Sequence, residues 1–386
     1  MKMNKIIAGV MAVCVMGFGV PYVNAVADNN TVIMASAETI NSGTCGKNLT
    51  WILDDEGTLT ISGTGDMEDY KNSISHDDIP WNSENKVIKK VVIEDGVTSI
   101  GANSFASCGN LTSIEIPDSV KSIREKAFSY CDFTSVKIPD GVTSIGDYAF
   151  FACRSLTSVE IADSVTSIGQ TAFCDCSGLQ SVKMSNSITS IEEGTFNSCG
   201  RLESINIPDS LTSIGRGAFY MCGSLKSVEL PDSLTSIGEI AFSGSGLTSV
   251  KIPESVKSIS NNAFYCWKLK SITIFNPDCI ISDDNAISDG YNGFNGTIYG
   301  YENSTAQEYA EKHGSKFKII GQEDVAGDMN GDNSVNVADA VLLQNVILGR
   351  QELTEEQFKN ADLTGDDFVD SFDMVLLRKK IIENNK

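Results

Sequence analysis

Ser135-Val-Lys-Ile-Pro-Asp-Gly-Val-Thr-Ser-Ile-Gly-Asp-Tyr-Ala-Phe-Phe-Ala-Cys-Arg-Ser-Leu-Thr157 is one copy of a pattern that recurs every 22 or 23 residues between Lys90 and about Lys270. Its Phe column is Phe105, Phe128, Phe150, Phe173, Phe196, Phe219, Phe242 and Phe264. Its Ile column is Ile100, Ile123, Ile145, Ile168, Ile191, Ile214, Ile237 and Ile259. A fixed period in this range means stacked coils, because one copy cannot bury its apolar residues alone and two neighbours can.

The physics of a copy is legible. In the next one, Val159 and Ile161 alternate with polar residues, as in a half-buried strand. Pro-Asp-Ser or Pro-Asp-Gly then makes a turn, with Pro presetting its backbone angle. Val-Thr-Ser-Ile-Gly is a second short extended segment. Ala-Phe-x-x-Cys places Phe and Cys three apart, which reads as one face of a single helical turn. A Leu closes the coil.

This array resembles the BspA-like class of bacterial surface leucine-rich repeat. The Leu-x-x-Leu-x-Leu-x-x-Asn signature of other leucine-rich repeats is absent, so their ligand sites are not carried over. The flanks resemble that family's ends. Leu49–Gly63, with Asp54-Asp-Glu-Gly57 between two alternating runs, reads as a hairpin covering the first coil. Thr297-Ile-Tyr-Gly-Tyr leads into Ser304-Thr-Ala-Gln307, a capping box, whose helix should stop at Gly314 before Ser315–Ile320 returns as a strand.

Eleven cysteines invite a disulfide reading, but the spacing points elsewhere. Cys108, Cys131, Cys153, Cys176, Cys199 and Cys222 each lie three after the repeat Phe. Ser245 takes that slot in the seventh copy and Trp267 in the eighth, with Cys266 beside it. A column that accepts Ser reads as small buried residues, here reduced thiols. Disulfides between stacked coils are the alternative. Zinc is disfavoured because the two histidines, His76 and His313, are isolated. Cys174 falls on the outward side, and Cys45 and Cys279 lie in the two caps.

The last sixty residues differ in kind. Asp328-Met-Asn-Gly-Asp-Asn-Ser-Val-Asn-Val-Ala-Asp339 returns 34 residues later as Asp362-Leu-Thr-Gly-Asp-Asp-Phe-Val-Asp-Ser-Phe-Asp373. Oxygen side chains fall at loop positions 1, 3, 5, 9 and 12, and position 7 adds a carbonyl. The expected metal ligands are Asp328, Asn330, Asp332, Ser334 (carbonyl), Asn336 and Asp339, then Asp362, Thr364, Asp366, Phe368 (carbonyl), Asp370 and Asp373. All are hard oxygens, which suits Ca2+, one ion per loop. No helix enters the first loop, so only exit helices over 338–348 and 372–382 are expected.

Two loop-helix units joined by a short helix resemble a type I dockerin. The resemblance implies a cohesin domain of a scaffoldin as partner, and membership of a cellulosome, the polysaccharide-degrading assembly of anaerobic bacteria. It places cohesin contacts at Val337, Ala338, Gln344 and Asn345 in the first unit, and at Ser371, Phe372, Arg378 and Lys379 in the second. The chain departs from the family at loop position 6, where Asn333 and Asp367 replace Gly, and at Thr364, a neutral ligand.

The fold class expected is a β-rich leucine-rich-repeat solenoid with capping units, plus a small all-α calcium-binding dockerin. The segments read as signal peptide 1–27, linker 28–44, N-terminal β cap 45–89, repeats 90–270, C-terminal cap 271–320, linker 321–326 and dockerin 327–386. The signal reading rests on Lys2 and Lys5, the apolar run Ile6–Val20, and small residues before Ala25 or Ala27. Cleavage would take the formal charge from −22 to −24. So acidic a chain should not seek nucleic acid or anionic membrane, and no later stretch is long enough to span a membrane.

No catalytic constellation is visible. Turn acids such as Asp118, Asp140, Asp163, Asp209 and Asp232 read as turn formers. A glycosidase-type acid pair needs a cleft, which stacked coils do not offer. Tyr130, Phe151, Tyr220 and Tyr265 follow the repeat Phe and form a candidate ligand patch. The Thr-Ser pairs read as a solvated hydroxyl face. The expected function is a secreted, extracellular, non-catalytic binding or adhesion component. It would be held on a scaffoldin, with its repeats binding an unknown protein or a plant-wall glycan. The alternatives are a carbohydrate-active enzyme with catalysis in the repeats, or an inhibitor of a neighbouring enzyme.

Overall fold

The computed structural model describes residues 39–71, 78–290, 293–321, 325–332 and 334–384. The signal segment, Cys14, His76 and Asn333 lie outside the described residues. The chain divides into two compact units, one running to Ser210 with Ala218–Ser224, the other Leu211–Gly217 with Leu225 onward.

The first unit opens on strands Thr39–Gly46, Leu49–Asp54 and Thr58–Gly63, paired antiparallel. Gly57 at φ 88 makes the second turn, where a side chain would meet the Val87 carbonyl. Thr58–Gly63 then pairs parallel with Lys90–Ile93 of the first coil, so the hairpin covers an edge that would otherwise be open.

From there the strands are parallel and in register. Along one side run Ser135–Ile138, Ser158–Ile161, Ser181–Lys183 and Ser204–Ile205. Along the other, Ser99, Ser122, Ser144 and Ser167 pair with one another in succession. The second unit repeats this with Ser249–Ile252, Ser271–Ile274, Thr297–Gly300 and Lys316–Ile319. There, helix α1 (Thr305–His313) starts at Ser304, whose hydroxyl accepts the Gln307 amide, and ends at Gly314 in the left-handed conformation. Gln307 reaches back to the amide of Asn303, one residue before the cap.

The core is a stack of rings. Phe105, Phe128, Phe150, Phe173, Phe196 and Phe219 follow one another at centroid separations of 5.1–5.7 Å. Trp81, fully buried, stacks on Phe105 at 5.4 Å and donates its indole N–H to the Ser104 carbonyl at 2.9 Å. It closes the column with a larger ring than any coil supplies. Phe173→Ala, at the middle of this stack, is expected to lower unfolding free energy by about 3–5 kcal/mol in denaturant titration. A loss below about 1 kcal/mol would mean that Phe173 is not part of the core.

The segment around each Phe is not a helical turn. In the first seven copies its bends place residues two before and two after Phe at positive φ, as in Lys126 and Tyr130 or Thr171 and Asp175. Left-handed residues cannot continue a right-handed helix. Phe and Cys still share a face, because a tighter turn closes from the Cys amide to the Phe carbonyl, 3.2 Å in the case of Cys108 and Phe105.

All ten cysteines in the described residues are free, and only Cys174 is not buried. From Cys131 onward, each column thiol donates to the Phe carbonyl of the preceding coil, as Cys131 to Phe105, Cys176 to Phe150 and Cys199 to Phe173, each at 3.2 Å. The eighth copy departs from expectation. Cys266 fills the column slot, donating to the Phe242 carbonyl at 3.1 Å, and Trp267 is turned out and 64% exposed. Phe264–Tyr265 is a short strand here, so the chain reaches the slot one residue early.

Candidate functional site

The C-terminal loops are built alike. The carboxylate of Asp328 accepts the amides of Gly331 at 2.8 Å and Asp332 at 3.2 Å. Asp362 does the same with Gly365 at 2.7 Å and Asp366 at 3.3 Å. At position 5, Asp332 accepts the Ser334 amide and Asp366 the Phe368 amide. At position 12, Asp339 accepts the amides of Met329, Asn330 and Asn336, while Asp373 accepts those of Leu363, Thr364 and Asp370. Each loop is thus wrapped around its own first and last carboxylates. Asp367 at position 6 is left-handed, φ 62, the role Gly would fill.

Each loop feeds a helix. The helices are α2 (Val337–Ile347) and α4 (Ser371–Asn384), with α3 (Glu355–Ala361) between them. Asn336 and Asp339 form a capping box on α2, so one aspartate both ends the loop and starts the helix. Leu343 and Leu377, which stand 34 residues apart at equivalent places in the two units, are fully buried in a small core with Met329, Val335, Met374 and Ile381. Asn360 ties the halves together, donating to the Asp328 carbonyl at 2.9 Å and accepting the Gly327 amide at 2.8 Å.

The donor set fits a hard cation. Asp339 and Asp373 are fully buried, and among the described residues their partners are amides and a hydroxyl, with no lysine or arginine. A buried carboxylate without a counter-charge is costly. Hydrogen bonding from Asn330 holds the Asp332 carboxyl below its usual range. For Asp362, burial pushes upward, and the amides of Gly365, Asp367 and Asp366 outweigh it. Both groups are therefore kept in the anionic form. Among the described residues, three His, Cys, Asp or Glu side chains nowhere gather as a metal-ligand set. The loops mix Asp with Asn, Thr and carbonyl oxygens, and their carboxylates face backbone amides. When bound, a calcium ion would supply the positive charge these oxygens lack.

Of the residues expected to meet a partner, Val337, Ala338, Gln344, Ser371, Phe372, Arg378 and Lys379 are exposed and Asn345 is half-buried. Four others extend the same surface. Val341 on α2, Leu348 at its C-terminal cap, and Val375 and Ile382 on α4 are each more than half exposed. The offset of 34 pairs Val341 with Val375 and Leu348 with Ile382, a signal present in the sequence and not used there.

On the array, Tyr130 meets Phe151 edge-on at 5.3 Å, and Tyr148, not singled out from sequence, meets Phe151 at 5.8 Å. Tyr220 and Tyr265 are half-buried and make no ring contact among the described residues. No helix in the described residues is long and apolar enough to cross a membrane.

Comparison with known proteins places these features. Residues 83–201 and 189–289 match the family described as BspA type leucine rich repeat region, in six copies. Residues 326–382 match the dockerin type I domain. Among solved structures, a leucine-rich repeat protein from Bacteroides ovatus is similar at 25% identity with a TM-score of 0.54, covering 71% of this chain and 76% of that one. A leucine-rich repeat protein from Eubacterium ventriosum is 23% identical with a TM-score of 0.42, covering 67% and 85%. No curated protein matches the chain.

Proposed function

Because this chain belongs to the BspA type leucine rich repeat family and ends in a type I dockerin, we propose that it is an extracellular, non-catalytic binding component held on a cellulosomal scaffoldin. Calcium-dependent docking to a cohesin supplies the attachment, with one ion in each loop and the ligands given above. The repeats are the part that binds, and the dockerin is the part that places them. The observation that carries this reading is the pair of loops with matching hydrogen bonds, each ending in a buried aspartate that begins a helix with an exposed apolar row. A leader over 1–27 and the segment boundaries drawn from the sequence belong to this proposal.

The two halves present different surfaces. Ala338, Gln344 and Asn345 are small and neutral, whereas their counterparts Phe372, Arg378 and Lys379 are aromatic and cationic. A cohesin complementary to one set leaves the other set's charges poorly paired. Docking therefore has one orientation. With a cohesin that binds in calcium, replacing Arg378 and Lys379 should change affinity very differently from replacing Gln344 and Asn345. Two nearly silent single replacements, with loss only on combination, would instead mean two interchangeable orientations. No calcium-dependent affinity for any cohesin would overturn the attachment itself.

A further inference from the structure

Lys126, Tyr130, Tyr148 and Phe151 line a pocket of about 310 Å³ in the first unit, together with Ser107 and Asn103. Three aromatic side chains from two adjacent coils meet there, and Tyr130 leaves half of its surface to solvent. The Lys126 ammonium lies 5.2 Å from the centre of the Tyr148 ring and is paired with Glu125 at 2.9 Å.

The chemistry selects among ligands. An exposed aromatic face takes an apolar surface, such as the C–H face of a sugar ring or a proline ring. A cationic ligand would meet Lys126 already on the Tyr148 face. An anionic one would approach a chain of net charge −22, and Lys126 is neutralised by Glu125. A neutral ligand meets neither obstacle. The hydroxyl of exposed Ser107, the phenols and the ammonium offer polar groups around the aromatic faces, as a polyhydroxylated ring requires. The volume is at the small end of ligand pockets, which suits one or two rings rather than a folded domain.

We infer that this pocket is a subsite for a neutral pyranose, held by stacking on the open Tyr130 ring, with Tyr148 and Phe151 as its wall, and by hydrogen bonds at its rim. The inference deepens the reading of the repeats as a binding surface and rests on it.

Backbone geometry supplies a clean test. Tyr130 and Tyr148 sit at φ 61 and 56, in columns where other coils carry Gly194, Gly217 or Gly244. Tyr130→Gly and Tyr148→Gly thus remove the rings while relieving the backbone. The full chain would be titrated calorimetrically with cellobiose, with a galacturonic acid disaccharide, and with a polyproline peptide. Saturable cellobiose binding is expected, weakened on the order of tenfold by each substitution with thermal stability maintained. Unchanged cellobiose affinity in both variants, or no saturation with cellobiose, overturns the subsite. Tyr-dependent binding of the peptide alone also overturns the sugar assignment, while leaving the binding-surface reading intact. Preference for the acidic disaccharide overturns the charge argument and the neutral class with it.

Discussion

Removing calcium is expected to unfold the C-terminal segment and leave the coils intact. The loops and exit helices share a core of only seven buried residues, too few to hold three helices together. Ten side chains at the two loops are ligand candidates, seven of them Asp, and Asp339 and Asp373 are fully buried. Without a cation these carboxylates repel one another across short distances. An ion present at a hundredfold over its Kd adds about 2.7 kcal/mol per site, and two such ions rival what the small core provides. Hydrogen exchange on the full chain checks this. In chelator, amides of α2 and α4 should lose protection while those of the Ser158–Ile161 region keep it. Asp328→Ala or Asp362→Ala should give part of the same loss in calcium. Equal protection of α2 and α4 with and without chelator would show that the segment folds without metal.

The array should be sensitive to alkali because of its thiols. Burial pushes the Cys108 and Cys222 thiols up to about 12, and Cys131, Cys176 and Cys199 well above their ordinary value. For a group whose value is raised on folding, the stabilisation is complete below the unfolded value near 9.0 and drains as pH climbs toward the folded one. At about pH 10.5 Cys108 and Cys222 therefore each cost the folded state about 2 kcal/mol, about 4 kcal/mol together, a large part of an ordinary domain's stability. Unfolding midpoints in urea should fall steeply between about pH 9 and pH 11. Replacing Cys108, Cys131 and Cys222 by Ser, as Ser245 stands in the seventh copy, should flatten that slope. An equally steep fall in the substituted array would place the alkaline sensitivity elsewhere.

Much of this was legible in the residues. The Phe and Ile columns define the stack, since a fixed period leaves only one way to bury them. The hairpin at Leu49–Gly63 and the helix from Ser304 to Gly314 carried their own turn and cap residues. What was not legible is instructive. The turns around each Phe required left-handed residues at places filled by Lys, Thr, Tyr and Ile as well as Gly, so composition concealed them. Trp81 lies outside the repeat, and nothing local tells that it completes the ring column. Cys266 and Trp267 compete for one slot, and only the short strand at Phe264–Tyr265 decides it. In the C-terminal segment, ligand spacing was legible because it is local. The exposed row Val341, Leu348, Val375 and Ile382 required comparing the halves.

The in-register pairing has one more consequence. Ser135 faces Ser158 and Ser158 faces Ser181, and from Cys131 to Cys222 the thiol of one coil reaches the Phe carbonyl of the one before. The face that one coil offers its successor is therefore the same face that its predecessor offers it. Duplication or loss of a whole coil would create no junction that the molecule does not already contain. Nothing inside the stack records how many coils there are. Recombination between copies can then lengthen or shorten the stack by whole coils without touching Trp81 or the hairpin beside it.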